Sequence, residues 1–222
     1  MTNTLGPYAL DSIITGDARE LAKAIPDESV DLIFTDPVYW QIEDYAWLAE
    51  TAARVLKADG HVLAYCGNVQ QVTAGSAMLR EGLQARPVLG HFLMPPYARL
   101  FDAMCHVNYM PLLWFSKPGA QPLRWLVTSP TSSYHGKSWA HDWGKNASAT
   151  AHFMARFTDP AAIVWDPFTG GGTVPAVCKM LRRHYLAFEI DPDTAERARQ
   201  RVLTTQVPLV FPEPEQLTID ML

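Results

Sequence analysis

A doubly wound α/β fold on a mostly parallel sheet is predicted for this 222-residue chain by three observations. Short apolar, β-branched runs alternate with amphipathic stretches along most of the sequence. Three of the strand-like runs end directly in acidic residues, Asp36, Asp166 and Glu189. A glycine triplet, Gly170-Gly171-Gly172, stands between one of those strands and the start of a helix. Ligands of such sheets bind beyond the carboxyl ends of the strands, where all of these residues fall.

Ser12–Thr15 is a β-branched strand ending at Gly16-Asp17, and Ala18–Ile25 keeps helical spacing until Pro26 stops it. Val30–Thr35 is a buried-type strand that delivers Asp36-Pro37-Val38-Tyr39-Trp40. Tyr45–Lys57 carries Leu48, Ala52, Val55 and Leu56 on one stripe and is expected to close at Asp59-Gly60, before a strand at His61–Cys66. Val72–Arg80 reads as a helix ended by Gly82. Pro87–Met94 and Tyr109–Phe115 have the length of strands able to pair antiparallel, with Asp102–Asn108 between them. Ser116–Lys145, rich in Pro, Ser, Gly and Trp without period, is expected to be a long loop, and loops of that length in compact domains are functional or disordered. Ala147–Phe157 resumes a helix, and Ala162–Trp165 is a strand running into Asp166–Thr173. Helix Val174–Leu181, strand His184–Phe188 and a helix at Asp193–Leu203 capped through Asp191 complete the pattern. After Val207, Pro208, Pro212 and Pro214 leave no clear element.

Apolar residues make up 48% of the chain and charged ones 18%, enough for one core and hence one domain over residues 1–222. No stretch is long and apolar enough to span a bilayer, and Met1–Tyr8 lacks a basic region followed by an apolar core. No membrane partner and a cytoplasmic location are therefore expected. Cys66, Cys105 and Cys178 lie far apart, with no Cys-x-x-Cys pair and no His at ligand spacing. Disulfides and a metal are not expected, and all three thiols are read as core side chains.

The net charge of −5 hides an uneven distribution. Residues 1–85 hold 5 Lys/Arg against 12 Asp/Glu, residues 86–156 hold 7 against 2, and residues 157–222 hold 6 against 9. The basic middle is interleaved with Tyr97, Tyr109, Trp114, Trp125, Tyr134, Trp139 and Trp143, a composition that suits tracking a nucleic-acid backbone and stacking bases. On charge alone, a solvated face with a few buried rings accounts for it equally well.

The glycine turn is not a phosphate cradle of the usual kinds. It lacks Gly-Lys-Ser/Thr and the Gly-x-Gly-x-x-Gly spacing, and the Asp166 carboxylate before it would repel pyrophosphate while welcoming a sulfonium. Glu189, about twenty residues on, can accept both hydroxyls of a ribose. Together these suit S-adenosylmethionine better than NAD or ATP. At the other acidic strand end, the Asp36 carboxylate and the Pro37 carbonyl oxygen can take the two N–H bonds of an aromatic amine, aligning a nitrogen that is otherwise a poor nucleophile. Tyr39 or Trp40 can stack on an extruded base.

Asp36-Pro37-Val38-Tyr39, Asp166-Pro167-Phe168-Thr169-Gly170-Gly171-Gly172-Thr173 and Phe188-Glu189-Ile190-Asp191 resemble the catalytic and cofactor motifs of amino-group (N6-adenine/N4-cytosine) DNA methyltransferases. Their order, catalytic motif first and cofactor loop last, is similar to the circularly permuted beta group of that family. Gly16–Leu21, Asp27–Ile33 and His141-Asp142-Trp143-Gly144-Lys145 resemble further family segments, so the likeness covers about residues 11–203. It implies a Rossmann-like S-adenosylmethionine-dependent fold with a loop-rich basic target-recognition segment at about residues 86–146. By the same resemblance Asp36, Pro37 and Tyr39 are catalytic. Asp17, Asp166, Phe168, Gly170, Gly172, Thr173, Glu189, His141 and Lys145 bind the cofactor. Asp17 and Asp166 acting only as helix caps, and Lys145 as a solvated cation, are the plainer readings of those positions.

The expected reaction is methyl transfer to the exocyclic amine of adenine in duplex DNA, the Asp rather than Ser at position 36 favouring adenine over cytosine. Cytosine-amino or RNA methylation by the same fold, and a non-catalytic DNA-binding relative, remain alternatives. Arg99, Lys117, Arg124 and Lys137 are the expected phosphate contacts, and a homodimer is among the assemblies open to the chain. One departure matters: Val38 stands where the family pattern has a second proline, which restores a backbone N–H and loosens the turn that holds the Pro37 carbonyl. Asp142 and Asn146 likewise stand where the family has prolines.

Overall fold

The computed structural model describes residues 3–94, 98–100, 104–124, 126, 131–133 and 147–207. A short hairpin, β1 (Thr4–Leu5) and β2 (Tyr8–Ala9), precedes β3 (Ser12–Thr15), α1 (Ala18–Leu21), β4 (Val30–Thr35), α2 (Ile42–Val55) and β5 (Leu56–Tyr65). Then come α3 (Gln71–Ala77), β6 (Gln84–Ala85), β7 (Leu89–Met94), a second hairpin of β8 (Ala98–Leu100) and β9 (Cys105–Val107), and β10 (Tyr109–Ser116). The last part holds β11 (Thr131–Ser133), α4 (Ala147–Phe157), β12 (Ile163–Asp166), α5 (Thr173–Met180), β13 (His184–Glu189) and α6 (Pro192–Thr204).

One large sheet runs β11-β7-β10-β5-β4-β12-β13-β3, with β6 beside β10. Its half from β5 to β3 is parallel throughout. The expected antiparallel pair is present as β7 against β10, in the register Tyr109↔Phe92, and β10 in turn runs antiparallel to β5. This is the predicted Rossmann-like α/β architecture.

Several boundaries differ from expectation, each for a tertiary reason. The helix expected to reach Lys57 ends at Val55, because Leu56 pairs with Val30 and Lys57 reaches Asp31 at 2.7 Å. A register shift between Val30 and Leu32 absorbs Asp59-Gly60 inside β5, where a helix stop was expected. The expected helix at Ala18–Ile25 is one α turn followed by a 3-10 turn at Ala22–Ala24. Within the expected loop Ser116–Lys145, Thr131–Ser133 adds to β7 as a parallel edge strand, and the two small hairpins carry no strong strand pattern in sequence. Cys66 and Cys178 are buried but Cys105 is exposed, since the small hairpin of β8 and β9 leaves it outside the core.

Strand alternation divides the core in two. In β5, Val62 and Ala64 join the layer of α2 with Tyr45 and Leu48, whereas Leu63 and Tyr65 join the layer of α4, α5 and α6 with Phe153, Val177 and Ala198. Trp165, fully buried at the centre, packs edge-on against Phe188 (5.9 Å between ring centres) and Trp47 (6.2 Å).

At the edge of the sheet where the parallel strands begin, His61 is buried between Trp114 and Phe157. Its Nδ1 accepts from the Trp114 indole N–H at 3.2 Å and its Nε2 lies 3.3 Å from the Gln121 carbonyl, an arrangement that suits the neutral ring. Burial lowers its pKa to about 4 from the ordinary 6.5. The unfolded chain therefore protonates here first, so this contribution to stability is complete above pH 6.5 and drains as pH falls toward 4, by about 3 kcal/mol in all. Urea unfolding at pH 7.5 and pH 4.5 is expected to show that loss in the wild-type protein. In His61→Gln, where every other titrating group is unchanged, the difference between the two pH values should shrink; an equal fall in both proteins would refute the assignment.

Candidate active site

The carboxyl ends of five parallel strands present Tyr65, Asp36, Asp166, Glu189 and Asp17 in that order across the sheet. In front of them lies a cleft of about 320 Å³ whose walls include Thr35, Asp36, Tyr65, Thr150, Asp166, Phe168, the Gly170–Gly171 turn, Thr173, Arg197 and Arg201. Asp36, Asp166, Phe168, Gly170 and Thr173 were expected there from sequence. Pro37, Tyr39, Gly172, Glu189 and Asp17 flank it through the same turns. Pro37 is buried and Tyr39 half-buried, its ring 3.2 Å from where a Cβ on Gly67 would stand. Val38 and Trp40 are exposed, Trp40 to 75%.

Asp166 sits at the bottom. Its Oδ1 accepts from the Thr35 hydroxyl at 2.7 Å and faces the Phe168 amide at 3.3 Å. Burial raises its pKa to about 7 against the pull of those hydrogen bonds, and the nearby Asp36 carboxylate raises it further. A cationic ligand centre would reverse that penalty, since an opposite charge favours the ionised form. Asp166 is thus a floor residue of the cleft and caps no helix.

The turn after Asp166 explains its glycines. Gly172 has φ +75° and caps α5, and a Cβ there would stand 2.9 Å from the Ala198 Cβ. Gly170 has φ +49°, with no atom within 4 Å of its would-be Cβ, so its backbone faces open space. The Glu189 carboxylate is fixed beside it, Oε2 accepting from Gly170 N–H at 2.9 Å and Oε1 from Asp191 N–H at 3.0 Å. An open glycine turn, a fixed carboxylate beside it and a buried carboxylate on the floor form a set of groups that fits S-adenosylmethionine. Asp17 follows Gly16, whose N–H donates to the Glu189 carbonyl at 2.9 Å, so it belongs to the same edge; one of its oxygens caps α1 through Arg19 N–H at 2.8 Å.

Sequence reasoning missed the supporting residues. Arg201 on α6 donates to the Gly171 carbonyl at 3.0 Å and the Thr173 hydroxyl at 2.9 Å, tying that helix to the turn. Trp47 packs edge-on against Phe168 at 5.6 Å and carries Arg19 over its ring at 5.7 Å. Tyr65 and Thr150 line the cleft beside Asp36. None sits in a motif, and only sheet register and helix packing bring them here.

His141, Lys145 and Lys137 lie outside the described residues, as does the side chain of Arg99, whose backbone is in β8. Lys117 and Arg124 lie away from the cleft. Antiparallel β10 carries Lys117 to the opposite edge of the sheet, where it donates to the Ala53 carbonyl at 2.9 Å; Arg124 there pairs with Asp159 at 2.7 Å. Neither converges on the cleft. Among the described residues no three His, Cys, Asp or Glu side chains could hold a metal ion, and no helix is long and apolar enough to cross a membrane.

Comparison with known proteins agrees with this geometry. The family model described as DNA methylase, of the N6/N4 amino-methyltransferases, matches residues 30–200. The type II methyltransferase M.SmaI of Serratia marcescens is 24% identical over 267 residues, covering 86% of this chain and 90% of that protein. The crystal structure of an M1.HpyAVI–SAM complex superposes with a TM-score of 0.73 at 22% identity, covering 86% of this chain and 98% of that one. The cytosine-N4-specific PvuII DNA methyltransferase gives a TM-score of 0.77 at 18% identity, covering 89% of this chain and 88% of that one. With its catalytic-type turn, its glycine cradle and a family match over most of its length, this chain belongs to the amino-group DNA methyltransferase family.

Proposed function

We propose that this protein is a cytoplasmic enzyme that methylates the exocyclic amine of adenine in duplex DNA after rotating the base out of the stack. The observation that carries the reading is the placement of Asp36 on the same cleft as Asp166 and the glycine turn, on adjacent parallel strands. The methyl donor is S-adenosylmethionine, which supplies an electrophilic methyl group on a sulfonium. Asp36 and the Pro37 carbonyl accept the two amine N–H bonds and orient the nitrogen lone pair, and Asp36 is the base nearest the proton shed once the new bond has formed. Tyr39, seated against Gly67, and the exposed Trp40 supply ring faces for the extruded base. Residues 86–146, with Arg99 and Lys137, form the segment that reads the target and contacts phosphates.

A second reading is methylation of the cytosine amine, favoured by the likeness to the cytosine-N4-specific PvuII DNA methyltransferase. Nucleoside mass spectrometry of unmethylated duplex DNA incubated with the protein and S-adenosylmethionine separates the two. N6-methyl-2′-deoxyadenosine supports the proposal, N4-methyl-2′-deoxycytidine replaces it with the second reading, and no product with cofactor and DNA both bound would leave a non-catalytic relative.

Val38 offers a finer test. It is 40% exposed, and its carbonyl accepts from Gln41 N–H at 3.0 Å, so a proline ring would meet solvent rather than core. Val38→Pro is expected to raise turnover several-fold by stiffening the turn, with cofactor affinity unchanged in calorimetry. A large fall in turnover would show that this turn needs the geometry valine gives it.

A further inference from the structure

We infer that Tyr65, with Thr150 beside it on the cleft wall, is a positioning residue that fixes the orientation in which the Asp36 carboxylate meets the target amine. The inference rests on the proposed reading of Asp36 as the amine's acceptor, and it assigns work to two residues outside every motif.

Geometry places the pair. The register Thr35↔Ala64 sets Asp36 and Tyr65 side by side at the ends of β4 and β5, and both line the cleft. Tyr65 is clamped from both layers of the fold. On one face its carbonyl accepts from the buried Tyr45 hydroxyl of α2 at 2.9 Å; on the other its ring packs against Phe34 at 5.9 Å, and it shares the cleft wall with Thr150 of α4. Thr150 is itself buried and faces the same cleft.

Chemistry gives the pair its direction. Burial and the adjacent Asp36 charge keep the Tyr65 phenol protonated well above the ordinary tyrosine range, so it enters the cleft as a neutral donor. In the inferred arrangement the Thr150 hydroxyl donates to the phenol oxygen and the phenol proton turns to the Asp36 carboxylate as the amine docks, forming a charge-assisted hydrogen bond. One carboxylate oxygen is then held and the other is presented to the amine. Packing alone would be satisfied by phenylalanine, and a buried hydroxyl is costly unless it is used.

The test uses full-length protein, S-adenosylmethionine and unmethylated duplex DNA. Tyr65→Phe is expected to lower kcat by about ten- to a hundredfold, the worth of one hydrogen bond to a charged group, while cofactor affinity by calorimetry is unchanged. The acid limb of the kcat profile should move to higher pH, because the carboxylate loses a donor that favours its charged form. Among the described residues the other titratable groups facing Asp36 are Tyr45 from α2 and Asp166 from β12, and both remain in this variant. Thr150→Val should lower kcat in the same way, Thr150→Ser should restore it, and the Tyr65→Phe/Thr150→Val double variant should be no slower than Tyr65→Phe. Wild-type kcat with an unmoved acid limb in Tyr65→Phe, or single effects that multiply in the double variant, overturns the inference. Should Tyr65→Phe fail to fold, Thr150→Val against Thr150→Ser makes the same comparison. Absence of any methylated base from the wild-type protein overturns the proposed function together with this inference. An active wild type with an unaffected Tyr65→Phe overturns the inference alone.

Discussion

Asp36→Ala is expected to cut methyl transfer by about a thousandfold or more while leaving S-adenosylmethionine affinity within reach of the wild type. Losing one preorganised polar partner from a catalytic site costs about a hundred- to a thousandfold. In the proposed mechanism Asp36 combines that role with the negative charge that stabilises a nitrogen becoming cationic as it attacks. The proposed cofactor side of the cleft is formed by other residues, Asp166, the glycine turn and Glu189, whose hydrogen bonds do not pass through Asp36. Removing Asp36 also withdraws a charge that raises the Asp166 pKa, so no loss of folding stability is expected from Asp166. Single-turnover methylation and calorimetric titration with cofactor, run on the same preparation, separate the two effects. A variant that keeps a tenth of wild-type turnover would remove Asp36 from the chemistry. One that loses cofactor binding in proportion would make it a cofactor residue instead.

Gly172→Ala is expected to destabilise the fold by about 2–5 kcal/mol and to weaken cofactor binding with it. Two costs add. The residue sits at φ +75°, ψ 29°, a left-handed conformation that costs an L-residue about 1–2 kcal/mol. Its new Cβ would lie 2.9 Å from the Ala198 Cβ and 3.1 Å from the Ala198 Cα, a backbone-level clash of the kind that costs about 1–3 kcal/mol. In a chain of this size that corresponds to a fall in melting temperature on the order of 5–15 °C. Relief of the clash by moving α6 would pull Arg201 from the Gly171 carbonyl and the Thr173 hydroxyl, opening the turn that faces the cleft. Gly170→Ala, with a positive φ but empty space around the added atom, should pay only the backbone cost. Ala198→Gly should restore part of what Gly172→Ala loses. Thermal melts of these four proteins would refute the account if Gly172→Ala were as stable as Gly170→Ala, or if Ala198→Gly gave no recovery.

Val38 and Tyr65 illustrate different depths of legibility. Val38 is visible as a departure because it interrupts a local motif, and its consequence is local too, a turn with one more N–H. Tyr65 looks in sequence like any aromatic at the end of an apolar strand. Its proximity to Asp36 follows from a sheet register between segments some thirty residues apart, and its proximity to Thr150 from the way α4 crosses that sheet. Lys117 and Arg124 show the converse. Their charge made them candidates for phosphate contact, but the antiparallel course of β10 and the Asp159 partner place that charge at the far edge of the sheet.

By itself the sequence determined what depends on local periodicity and on residue types in fixed order: the alternation of strands and helices, the parallel half of the sheet, the antiparallel pair at β7 and β10, and the acidic and glycine residues gathered at the strand ends. These are short-range properties, set by side-chain pattern and by the few residues that a left-handed or proline-fixed backbone allows. Tertiary structure alone decided where α2 gives way to β5, that Thr131–Ser133 joins the sheet, that Cys105 lies outside the core, and which side chains surround Asp36 and Asp166. Each of those outcomes depends on pairing or burial between segments distant in the chain, and the free energy of such contacts is not written in either segment separately.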